Sequence, residues 1–173
     1  MHDTARTANL LGAAALAVTD HALGAVSRAA GTGTSAAAAL VVLLTSPELS
    51  VTELGRRVGL SQSAAARMVD SLQAAGLVER RPGTGREVRV SATSAGRDTA
   101  ARLLRARTQS LSELVSVLDV HEQRALTELL TTLLTRLYTE IRSSEYLCRL
   151  CDRPSCTTNA TCPVGQAERD RDG

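Results

Sequence analysis

A mainly α-helical fold with one small β-hairpin is what this sequence predicts, and three observations carry that expectation. The 173 residues include no Phe or Trp and only two Tyr, Tyr138 and Tyr146. A core must therefore be built from Leu, Val and Ala, which helices accommodate well. Long proline-free stretches rich in Ala and Leu flank the middle of the chain, from Thr4 to Thr45 and from Thr93 to Leu147. Between them, two short segments with capping residues meet at a glycine and are followed by an alternating stretch around turn residues. With 43% hydrophobic and 22% charged residues, the chain suits one ordinary domain plus a short appendage, and global disorder is excluded.

Thr4 to about Ala30 reads as a long helix, apolar on much of its surface and so buried against a partner. Gly31-Thr32-Gly33-Thr34 breaks it. Ser35 to about Thr45 is a second, almost wholly apolar helix, expected at the centre of the core and stopped at Ser46-Pro47. Ser50 caps a short helix, with Glu53 placed for a capping box and Val51, Leu54 and Val58 on its apolar face. Gly59 ends it. Ser61 caps the next helix, which runs to about Ala75 and buries Ala65, Met68, Val69 and Leu72. Two capped helices joined through a glycine turn form a helix-turn-helix pattern.

Leu77 to Arg80 reads as a strand, Pro82-Gly83-Thr84-Gly85 as a hairpin tip, and Glu87 to Ser91 as a half-buried return strand. This hairpin is a wing beside the second helix. Thr93 caps a long helix to about Leu118. Asp119, with Glu122 three residues on, caps another that runs to about Tyr146. The resulting division is 1–46 for support and dimerisation helices, 47–92 for the winged helix-turn-helix, 93–147 for long dimerisation helices, 148–163 for a cysteine segment and 164–173 for a disordered tail. No apolar run approaches the ~20 residues of a membrane span. Leu10 to Val18 imitates a signal-peptide core, but Asp3 weakens its positive flank and Asp20 follows at once, so a buried helix of a cytoplasmic protein is expected.

Charge is distributed unevenly. Every basic residue is Arg, and Val51 to Arg107 holds 11 Arg against 5 acids, a local balance of +6 between acidic flanks. A basic middle third suits a nucleic-acid surface. In a helix-turn-helix the second helix enters the major groove. The groove-facing positions are then Gln62, Ser63, Ala66 and Arg67, with Ser61 at the helix start. Gln pairs with adenine, and Arg with guanine or phosphate. Arg80 and Arg81 at the wing base suit phosphates, and Arg86 at the tip suits a narrow minor groove. An enzyme is not expected: His2, His21 and His121 are scattered, and no phosphate loop or nucleophile elbow occurs.

These residues bear a resemblance to the MarR family of transcription regulators, spanning about Leu10 to Arg142. It is most specific in Val51-Thr52-Glu53-Leu54-Gly55-Arg56-Arg57-Val58-Gly59-Leu60-Ser61 and in the stretch from Arg67-Met68-Val69-Asp70 through Gly76-Leu77-Val78-Glu79-Arg80. Thr93-Ser94-Ala95-Gly96 resembles the family's Thr-x-x-Gly after the wing. The resemblance implies a homodimer made through the first and last two helices, bound to an inverted repeat of double-stranded operator DNA, usually as a repressor that a signal releases. Where the family's wing often carries Asp-x-Arg, this chain has Thr84-Gly85-Arg86.

All four cysteines, Cys148, Cys151, Cys156 and Cys162, fall in one segment with spacing C-x2-C-x4-C-x5-C. In a cytosolic protein such clustering points to metal or redox chemistry. Three readings stand. The first is an iron–sulfur cluster on four thiolates, [4Fe–4S] rather than [2Fe–2S], which makes a sensor of oxygen, nitric oxide, redox or iron state. The second is structural zinc, paired with a small-molecule effector held between the dimer helices and the wing domain. The third is a metal-free thiol switch.

Overall fold

The computed structural model describes residues 3–83 and 88–173. The described chain is mainly helical with a three-stranded antiparallel sheet, the architecture expected. Helix α1 (Thr4–Ala30) is capped by Asp3, whose carboxylate accepts the Arg6 N–H, and ends at Gly31. Helix α2 (Thr34–Thr45) is the centre of the core: Ala37 to Leu43 are all buried. A strand of two residues, β1 (Leu49–Ser50), leads into α3 (Val51–Val58) and α4 (Gln62–Ala74). Strands β2 (Val78–Pro82) and β3 (Val88–Ala92) form the wing, and the sheet order is β1-β3-β2. The short β1 was not legible in the sequence. It exists because Leu49 pairs with Val90 across the sheet, a contact between distant parts of the chain.

Helix α5 (Ser94–Val115) lies against α1 and α2. Its start explains the Thr-x-x-Gly pattern. The Thr93 hydroxyl accepts the Gly96 N–H at 3.1 Å and donates to the Gly76 carbonyl at 2.7 Å. The Thr93 N–H donates to the Leu77 carbonyl at 3.1 Å. That carbonyl lies where a Cβ on residue 96 would stand. Only glycine lets the first turn of α5 close onto the α4–β2 corner. Gly96→Ala should therefore cost about 3 kcal/mol, near the upper end for overpacking, because the obstacle is backbone and cannot rotate away. Urea unfolding of the two proteins measures this; a difference below about 1 kcal/mol would show that the corner yields.

Helix α6 (Val120–Ile141) begins with the complete capping box of Asp119 and Glu122. It does not run to Tyr146. Arg142 takes the left-handed conformation, φ 53°, and stops it. No glycine marks this end, so the sequence concealed it. A short α7 (Ser144–Leu147), α8 (Arg153–Thr157) and α9 (Pro163–Asp172) follow. The tail expected to be disordered thus forms α9, which packs on α6 and α7. Its charged composition masks the anchors. Val164 is buried, Pro163 occupies the first turn, and Glu168 accepts a hydrogen bond from the Ser144 hydroxyl at 2.7 Å.

Helix α1 also departs from expectation. Over Thr4–Ala29 it is long and apolar enough to cross a membrane by length and composition, although no uninterrupted apolar run predicts this. Its first half is not buried within the chain: Leu10 and Leu11 are exposed, and Leu16 is 72% exposed. On α6, Leu129, Leu133, Leu137 and Ile141 are exposed likewise. The buried part of α1 is its second half, through Ala22 and Val26.

Candidate nucleic-acid interface and cysteine cluster

Helices α3 and α4 are short and strongly capped. Ser50 Oγ accepts the Glu53 N–H at 3.1 Å, and Ser61 Oγ accepts the Ala64 N–H at 3.4 Å. The expected capping box of α3 forms only in this half. The Glu53 carboxylate turns instead to Arg56, at 2.7 Å, and to Arg57, at 2.7 Å. The Arg56 hydrogen bonds, assisted by Arg57, hold the Glu53 pKa at about 2 against the opposing effect of burial. This contribution to stability is present above the ordinary carboxylate value near 4.5 and is lost as pH falls from there towards 2.

Helix α4 buries Ala65, Val69 and Leu72. The opposite face presents Gln62, Ser63 and Arg67, all exposed, with Ala66 half-buried between the faces. Ser61, the cap, is exposed and lies 3.4 Å from Ser63 through their hydroxyls. Arg80 is not a free cation. Its guanidinium donates to Gln73 at 2.7 Å and Asp70 at 2.6 Å, clamping β2 to α4. Such a two-pronged clamp fixes orientation as well as adding energy. Arg81 is exposed and pairs with Glu79 at 2.5 Å. Arg86, the wing-tip residue, lies outside the described residues, as do Thr84, Gly85 and Glu87.

The cysteine segment folds back from the end of α6 towards α3. No disulfide links its four cysteines, which are all half-buried. Cys148, Cys151, Cys156 and Cys162 all line one cavity, where neighbouring cysteines act on one another's ionisation. The hydrogen bond from Cys151 pulls the Cys148 pKa down despite burial. The same bond, with burial, pushes Cys151 strongly up. Burial first, then neighbouring cysteine charge, raises Cys156 to about 11. Cys162 caps α9, its Sγ accepting the Gly165 N–H at 3.4 Å. Among the described residues no group of three or more His, Cys, Asp or Glu is arranged as a metal site. The donor chemistry, four thiols lining one cavity, fits a thiophilic metal, although the thiols are not gathered into a metal-binding arrangement. Cavities lie on both sides of the segment. One of about 490 Å³ separates it from α2 and α3. The other, about 870 Å³, opens towards α1 and α5 and is lined by Leu23, Arg107, Leu111 and Val115.

The helix-turn-helix, its β-wing and the clamped recognition helix agree with a family comparison: residues 30–87 match the sequence profile of the MarR family. Over that third of the chain the winged helix is similar to the MarR family. Solved structures agree with it. The MarR-family protein Rv2887 of Mycobacterium tuberculosis is 25% identical, with a TM-score of 0.62 over 76% of this chain and 95% of that one. A MarR-family transcriptional regulator from Silicibacter pomeroyi is 28% identical, with a TM-score of 0.54 over 69% and 84%. Rv2887 in complex with DNA aligns with a TM-score of 0.59 at 22% identity, covering 77% of this chain and 98% of that one. No curated protein matches the sequence. MarR-family proteins are transcription regulators rather than enzymes, and the comparisons support a MarR winged-helix regulator.

Sequence reasoning missed three features of the winged-helix region: the Glu53–Arg56–Arg57 network, the Arg80 clamp, and the contact of Tyr146 with Gly59. The Glu53 spacing to Arg56 and Arg57 was a usable signal, since i,i+3 and i,i+4 pairs meet on a helix. The other two join residues far apart in the chain.

Proposed function

We propose that the protein is a homodimeric transcription regulator that binds an inverted-repeat operator through α4 and the wing, and whose signal enters at the four cysteines. The observation that carries the DNA reading is the exposed α4 face of Gln62, Ser63 and Arg67, opposite a buried face and braced by Arg80. Rv2887 has been solved with DNA, which supports the same use of this domain here. Arg81 and Arg86 are assigned to phosphate and minor-groove contacts at the flanks. Dimerisation is typical of the family and accounts for the exposed leucines of α1 and α6.

Cys148, Cys151, Cys156 and Cys162 would hold an iron–sulfur cluster, whose loss or change under oxygen, nitric oxide or iron shortage is the signal. When bound, such a group supplies redox-sensitive thiolate–iron chemistry. The supporting observation is that all four cysteines fall on one short segment and line the same cavity. Anaerobically purified protein should be brown, absorbing near ~400 nm, as thiolate-ligated iron does. A colourless zinc protein would support the second reading, which the 870 Å³ cavity favours: a small-molecule effector beside a structural metal, in a volume normal for ligand sites.

DNA binding is tested by fluorescence anisotropy on the promoter of its own gene. Affinity should fall with rising salt. Arg67→Ala should lose roughly 1–3 kcal/mol on the operator and much less on random DNA. An equal loss on both would make Arg67 a phosphate contact and move sequence readout elsewhere.

A further inference from the structure

We infer that Tyr146 is a positioning residue that carries the state of the cysteine segment directly to the helix-turn-helix turn of its own subunit, by seating its ring on Gly59. The inference rests on the proposal that the cysteines bind a metal or cluster.

Gly59 is the turn glycine. It ends α3 with φ 76°, donates its N–H to the Arg56 carbonyl at 3.3 Å, and is followed by Leu60, whose N–H reaches the Gly55 carbonyl at 2.9 Å. Ser61 then caps α4. A Cβ on residue 59 would stand 2.5 Å from Tyr146 Cε2 and 3.4 Å from Cζ. The ring therefore lies on the bare face of the glycine, and a side chain there would displace it. Glycine is needed at this position twice, for its backbone conformation and for this contact.

Tyr146 is held from both directions. On the turn side, Glu145 pairs with Arg56 at 3.2 Å. On the cysteine side, the Arg149 guanidinium stacks 4.1 Å from the centre of the Tyr146 ring. Arg149 also donates to the Tyr146 carbonyl at 2.7 Å. Cys148 continues the same turn, its N–H bonded to the Ser144 carbonyl at 2.9 Å, and Cys151 N–H bonds the Cys148 carbonyl at 2.9 Å. Backbone hydrogen bonds thus run unbroken from α7 into the first two cysteines. Gathering the four sulfurs around a metal changes the orientation of Cys148 and Cys151. The Tyr146 ring must follow, because little free chain lies between them. On the other side, the left-handed Arg142 ends α6 before α7 begins, and α7 is tied to α9 through the Ser144–Glu168 hydrogen bond.

This route differs from one through the dimer helices. It needs no change in the spacing of the two subunits. The turn it touches immediately precedes the helix that carries Gln62, Ser63 and Arg67, where a small displacement costs base contacts.

The test uses the full-length protein reconstituted anaerobically with ferrous iron and sulfide, and the same protein after cluster removal. Operator affinity is measured by anisotropy, and hydrogen exchange is followed at the amides of Gly59 and Leu60. In the wild type the two states should differ about 5–150-fold in affinity, and cluster removal should speed exchange at the turn. Tyr146→Ala should retain the cluster spectrum but bring the two affinities within about twofold, well below that coupling range, with turn exchange fast in both states. Tyr146→Phe, which keeps the ring, should behave as wild type. If Tyr146→Ala does not fold, Tyr146→Leu replaces it with the same expectations. A Tyr146→Ala protein that keeps both its cluster and the wild-type affinity ratio overturns the inference while leaving cluster sensing intact. Loss of the cluster in Tyr146→Ala also overturns it, since the ring would then be holding the metal site. A wild-type ratio near one sinks cluster sensing itself, and the inference with it.

Discussion

Cys151→Ser should abolish metal binding and change operator affinity about 5–150-fold, while the protein stays dimeric. Cys151 lies between Cys148 and Cys156 in the segment and lines the same cavity as the other three cysteines. Serine keeps a hydrogen-bonding group of similar size there but does not supply a thiolate, which is the species that binds soft metals. The backbone hydrogen bonds of the segment should survive, so the folded dimer should persist. What is lost is the force that draws the four sulfurs together. Metal analysis and the absorbance spectrum check the first part, and anaerobic anisotropy on the operator checks the second. If metal is lost and affinity stays within about twofold, below the usual coupling range, the segment is a structural staple and the small-molecule reading takes over.

Deleting residues 1–18 should convert the dimer to a monomer or to aggregates at micromolar concentration. The deletion removes Leu10, Leu11 and Leu16, which are exposed on the single chain, and spares Ala22 and Val26, which are buried in its own core. Burying a leucine is worth about 1.5–3 kcal/mol, so three per subunit make up a large share of the roughly 8–12 kcal/mol of a micromolar to nanomolar complex. The facing stripe of α6, with Leu129 63% exposed, would be left without cover. Sedimentation velocity decides the outcome, with circular dichroism to establish that the helices remain. A truncated chain that is still a well-behaved dimer would put the interface elsewhere.

By itself the sequence determined the elements whose causes are local. Ser50, Ser61, Thr93 and Asp119 each cap the helix they were expected to cap, because a cap hydrogen bond spans only two or three residues. The alternation in the wing and the buried face of α4 were legible for the same reason: side-chain direction follows from backbone period alone. The tertiary structure alone decided what depends on residues distant in the chain. Glu53 is the local exception: it abandoned its half of the capping box for Arg56 and Arg57, three and four residues on, a competition the spacing offered but did not decide. Arg80, read from the sequence as a phosphate contact, became a brace because the wing brings it to Asp70. The end of α6 was hidden because it is a left-handed arginine rather than a glycine, and the tail became a helix because Val164 found a burial site. The spacing of four cysteines could name a ligand set. That the segment comes to rest on Gly59 through Tyr146 was invisible, since no local pattern encodes where a flexible segment docks; only the shape and charge of the surface it meets can select that.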